Sequence, residues 1–146
     1  MNETSQKIFF VQSTNDGGFE TESLWCTKVG DNYIVDNIPF VAKRISLGDT
    51  IKAEYDDDDK GYYFDEFVEV SGNSTLRLFF QDEGIIPGVR KQLEEFGCES
   101  EAFLSRKLIA VNVPKAIDYR PVKEYLENGE QGGLWTYEES CLAHQY

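Results

Sequence analysis

The residues best equipped for chemistry lie in Glu54–Glu69, EYDDDDKGYYFDEFVE, where eight carboxylates stand against one base, Lys60. Carboxylates this dense could hold a hard cation, pair as general acid and base, or meet a basic partner. A calcium loop is tested by position. Asp56, Asp58 and Gly61 fall at positions 1, 3 and 6, but Lys60 occupies position 5 and Phe67 position 12, where a bidentate glutamate is required. No resident metal is expected. Adjacent acids such as Asp65 and Glu66, Glu94 and Glu95, or Glu138 and Glu139 follow from a total of 27 and do not by themselves make a glycosidase. Nucleophilic catalysis needs a base beside Ser, Cys or Thr. The single histidine, His144, stands third from the end, where a chain is expected to fray, with Cys141 three residues away. Cys26 and Cys98 lie in apolar strand contexts, where burial makes a thiol inert. The phosphate-cradling GxxxxGK[ST] and GxGxxG patterns and the zinc-binding HExxH pattern are absent. No catalytic residue and no cofactor is expected, and the chain reads as a binding protein, not an enzyme.

The whole chain agrees with that reading. Its formal charge is −13, while aromatic residues make up 14% of it, too many for a disordered acidic tail. The charge therefore sits on a folded surface and points to a basic protein partner. Direct nucleic-acid binding is disfavoured, because phosphates are neutralised by Lys and Arg. No apolar run approaches the roughly 20 residues that span a bilayer. The N-terminus lacks the pattern of a signal peptide, and three scattered cysteines without CxxC fit a reduced compartment, so a cytoplasmic location is expected. The expected partner contacts are Asp56, Asp57, Asp58, Asp59, Asp65 and Glu66. Tyr63 is the expected aromatic anchor within a ribbon that also holds Tyr62, Phe64 and Phe67.

Two stretches with different patterning must position these residues. Residues 1–72 read as short strands with polar turns: Lys7–Gln12, Ser23–Val29, Tyr33–Asp36, Thr50–Tyr55 and Tyr62–Val70, with the acidic tip 56–60 joining the last two. Period-2 spacing puts Tyr62, Phe64, Val68 and Val70 on one face of the last strand, with Glu66 the exception. A small antiparallel barrel-like half is expected. Residues 73–146 alternate strand and helix signals. Leu76, Leu78 and Phe80 mark a strand. Pro87 opens a helix with Val89, Leu93 and Phe96 on one face and Gly97 at its end. Cys98–Phe103 and Lys107–Val113 form a strand pair. Asp118 caps a second helix that uses Val122, Tyr125 and Leu126 and ends at Gly129, and Leu134–Glu139 closes the series. The fold class is thus α+β, with the second half a ferredoxin-like βαββαβ unit.

Five ordered segments carry a resemblance: Glu22-Ser-Leu-Trp25, Asp36-Asn-Ile-Pro-Phe40, Ser46-Leu-Gly-Asp49, Ser71-Gly-Asn-Ser-Thr-Leu-Arg77 and Trp135-Thr-Tyr-Glu-Glu139. Together they resemble a bacterial family catalogued as a domain of unknown function, number 4265, across residues 6–142. The resemblance implies turn-and-core roles for these segments and transfers no catalytic residue. A polar corner of Ser71, Asn73, Ser74 and Arg77 is expected to be structural before it is ligand-binding. With the charge and the missing catalytic groups, membership of a bacterial family of small stand-alone domains leads to a specific expectation. The chain would be an immunity protein that neutralises a basic toxin domain, such as a nuclease of a contact-dependent growth inhibition system. The alternative is an acidic adaptor on a basic host factor, such as a translation component.

Overall fold

Alternating side chains explain the first strand, where Ile8 and Phe10 are buried and Phe9 and Val11 lie on the other side. The computed structural model describes residues 4–145, a mixed α+β chain that divides into two units, Met1–Ser71 and Gly72–Tyr146.

The first unit is a meander of β1 (Ser5–Ser13), β2 (Phe19–Val29), β3 (Asn32–Val35), β4 (Thr50–Asp56) and β5 (Gly61–Glu69). Each consecutive pair is antiparallel, and the sheet closes on itself by pairing β5 with β1. Five alternating strands leave first and last pointing the same way, so the closing pair is parallel, through Ile8–Tyr62 and Phe9–Tyr63. Inside lie Ile8, Phe10, Leu24, Cys26, Tyr33, Val35 and Ile51, with Ala42 and Ile45 from the long β3–β4 connection. Carboxylates hold that connection in place. Glu22 accepts the backbone N–H groups of Phe40, Val41 and Ala42 at 2.7–2.9 Å. Buried Asp49 accepts those of Ser46 and Ser71 at 3.0 and 2.8 Å.

The expected single face of β5 is corrected. Ala53 faces Phe64 but the next β4 residue, Lys52, faces Glu66, and Ile51 then faces Phe67 while Thr50 faces Glu69. Two β-bulges, at Asp65 and Val68, thus reset the alternation twice. Phe67 takes the place expected for Val68, opposite buried Ile51 and against the Phe64 ring at 5.1 Å. Val68 and Val70 are exposed.

The second unit orders its strands β7-β8-β6-β9, every neighbouring pair antiparallel, from β6 (Ser74–Phe80), β7 (Glu99–Phe103), β8 (Leu108–Val113) and β9 (Trp135–Cys141). Two helices, α1 (Ile86–Glu95) and α2 (Tyr119–Gln131), pack on the face carrying Leu76, Leu78, Ile109 and Val111. Pro87 sits in the first turn of α1, and Gly97 at φ 99° lets Cys98 N–H reach Leu93 O at 2.9 Å. Asp118 caps α2 by accepting from Arg120 N–H. This helix does not end at Gly129 but runs to Gln131. Gly129 is there for closeness: a Cβ at that position would lie 1.9 Å from the Trp135 ring.

The expectation that His144 frays is also overturned. Its Nδ1 lies 2.5 Å from Ser74 Oγ and its Nε2 2.9 Å from Pro114 O, while Ala143 and His144 N–H groups donate to the same buried hydroxyl. Because Pro114 O only accepts, Nε2 is the donor in that bond.

Candidate functional site

The acidic hairpin is a built turn. Tyr55 pairs with Tyr62 and Asp56 with Gly61, so Asp57, Asp58, Asp59 and Lys60 form the connection, with Lys60 at φ 54°. Asp56 Oδ1 accepts Asp58 and Asp59 N–H groups at 2.9 and 3.3 Å, which is how an aspartate closes a turn on itself. Its carboxylate works inside the loop, while Asp57, Asp58 and Asp59 face solvent. Tyr63 donates its hydroxyl to Asp59 Oδ2 at 3.0 Å, and this hydrogen bond to a carboxylate pushes the phenol pKa upward. The Tyr63 ring leans on Phe9, centroids 5.4 Å apart, and is half-buried. A shallow hollow of about 490 Å³ is lined by Glu54, Tyr55, Asp56, Asp57, Asp58 and Tyr63. Among the described residues no set of three or more His, Cys, Asp or Glu is placed to hold a metal ion.

Asp65 and Glu66 lie on the outer side of β5, exposed, with Glu66 opposite Lys52. Glu66 lies five strand residues beyond Gly61, where the turn ends, roughly 16 Å along β5. The expected contact residues therefore fall into two patches, a tip of Asp57–Asp59 and a strip of Asp65 and Glu66. The strip continues through Glu69 and includes exposed Phe67, Val68 and Val70, which are 41%, 46% and 69% accessible. Period-2 spacing places Val68 and Val70 on one face with Tyr62 and Phe64. The signal that could have corrected it was Glu66, a charge on an apolar face, which marks a bulge when the strand is otherwise regular.

The other reactive groups are satisfied within the fold. Burial pushes the Cys26 thiol up to about 12 and that of Cys98 up to about 11. His144 is bonded to Ser74 and Pro114, which engages both ring nitrogens away from Cys141. In the polar corner, Asn73 accepts from Lys115 N–H at 2.8 Å and Arg77 meets Glu138 at 3.4 Å. On α2 and β9, Glu139 accepts from Tyr119 at 2.5 Å and from Lys123 at 3.1 Å, while Tyr137 donates to Glu127. A groove of about 870 Å³ runs between α1 and β7, where Arg90 donates to both Ser100 Oγ and Ser100 O at 2.9 Å.

The sequence profile of a family described as a domain of unknown function (DUF4265) matches residues 22–137. No curated protein matches the chain. A crystal structure of a hypothetical protein from Neisseria gonorrhoeae is similar over 99% of this chain and 100% of its own, with a TM-score of 0.83 and 22% identity. At that identity the likeness concerns the fold.

Proposed function

This chain belongs to the DUF4265 family, and from that premise we propose that it is an acidic binding protein that covers a basic surface of another protein. One observation carries the reading. The β4–β5 hairpin holds a self-closed turn that presents Asp57, Asp58 and Asp59 to solvent, followed by the exposed acids Asp65 and Glu66 on the same hairpin. A turn ordered by its own Asp56 holds like charges together at little entropic cost on binding. In its full form the proposal is an immunity protein that occludes a basic toxin domain, with a nuclease the best fit. Nuclease grooves are positive because they bind phosphate, and an acidic surface is drawn to them rapidly. The proposed site is cytoplasmic. We read the closed five-stranded sheet as a small barrel. The order β7-β8-β6-β9 in a β-α-β-β-α-β series supports a ferredoxin-like second unit.

The test is to look for a toxin-like domain encoded beside its gene, co-express the two and purify at moderate salt. A one-to-one complex that restores growth is expected. Growth arrest that persists with no complex formed would reject the immunity reading.

A further inference from the structure

We infer that the outer edge of β5, Asp65–Glu69, takes an extended cationic and apolar segment of the partner as an added strand. The inference rests on the proposed basic partner and names the surface and the mode by which that partner is held.

β5 is nine residues long, but β1 pairs with it only at Tyr62 and Tyr63. From Phe64 onward, among the described residues, β5 pairs with β4 alone, and no other backbone hydrogen bond reaches Asp65–Val70. The bulges at Asp65 and Val68 give the cause. Each bends and twists its strand, so β5 leaves the path of β1 after Tyr63, while the Phe64 ring stays stacked on core Phe10 at 5.2 Å. All six residues from Asp65 to Val70 are exposed.

A strand edge with unpaired N–H and C=O groups is a template for another strand. The second unit treats its edge differently. On β7, Arg90 occupies the Ser100 carbonyl, and Glu99 and Glu101 stand on the same short strand. On β5, among the described residues, no side-chain hydrogen bond reaches the backbone of Asp65–Glu69. Charge then chooses the occupant. A second copy of this chain would bring Asp65, Glu66 and Glu69 against identical acids, and like charges across a strand pair repel. A segment alternating Lys or Arg with apolar residues meets those acids with opposite charge. It also covers Phe67, Val68 and Val70, whose exposure no neighbour in the first unit relieves. Five residues of edge extend roughly 17 Å, enough for a short strand.

The probe is a blocked nine-residue peptide alternating Lys and Val, compared with the same peptide methylated at every backbone nitrogen. Both are added to the full chain at low ionic strength while amide exchange is followed by NMR. The unmethylated peptide should slow exchange within Asp65–Glu69 by about tenfold or more, and the methylated one should not. The triple variant D65K/E66K/E69K, all exposed positions, should keep its thermal midpoint and lose that protection. Three results would overturn strand addition. They are equal binding by the methylated peptide, perturbation confined to residues 56–60, and protection of the edge by self-association without peptide. Each of these leaves the basic-partner reading standing, because that reading fails separately, when co-expression yields no complex.

Discussion

At the scale of single residues, carboxylates inside the turn-and-core segments organise backbone. Glu22 is the plainest case, since three consecutive N–H groups converge on it. Glu22→Ala should cost about 2–3 kcal/mol in urea unfolding, with Glu22→Gln recovering part of it through its remaining carbonyl. An unchanged midpoint would remove the anchoring role. Ser74→Ala should leave the Ala143 and His144 amides without their acceptor and cost about 1–2 kcal/mol, read as faster exchange of those two amides. The cysteines make a pH prediction. The fold favours the neutral thiols of Cys26 and Cys98, so their contribution is fully present below the ordinary value of 9.0. It is lost as pH rises through about 11 for Cys98 and about 12 for Cys26. Stability measured from pH 8 to 11 should therefore fall more steeply in the wild type than in the variant C26A/C98A. Parallel slopes would contradict the burial argument.

At the scale of elements, local signals located most strands and both helices, and failed where packing took over. Pro87 and Gly97 bracket α1 because a ring-locked φ suits a first turn and a left-handed residue suits an end. The same reasoning placed the end of α2 at Gly129, two residues early. A glycine signals termination only when its conformational freedom is what the chain uses, and here its missing side chain is used, making room for Trp135. Trp135 also donates from Nε1 to Leu126 O at 3.1 Å, so the ring cannot easily withdraw. Gly129→Ala should cost about 2–3 kcal/mol and change the near-UV circular dichroism of the indole. A neutral substitution would show that the ring moves freely. The bulges in β5 were hidden for a related reason. Alternation assumes one residue per step, and β5 sets two residues against one of β4 at two places, a register that exists only in the pairing of the two strands.

At the scale of the molecule, the net charge of −13 frames how a partner is approached. Charge reversal at the tip, D57K/D58K/D59K, should slow association with a basic partner and flatten its salt dependence. Stability should move by no more than about 1 kcal/mol, because these side chains are exposed and the one bond lost is that from Tyr63 to Asp59. Rates measured by stopped flow at two ionic strengths decide it, and unchanged kinetics would take the tip out of the interface.

Composition and periodicity were enough to establish an acidic, aromatic-rich α+β chain with a charged hairpin, because these properties are additive along the chain. Family membership was likewise readable, from short ordered segments whose turns and core positions need no partner to be recognised. Tertiary structure alone decided the rest. His144 is held because Ser74, seventy residues away, supplies a hydroxyl, and such a bond leaves no local mark in the sequence. The edge of β5 is open because closure with β1 stops at Tyr63, a consequence of how five strands and two bulges fit around one core.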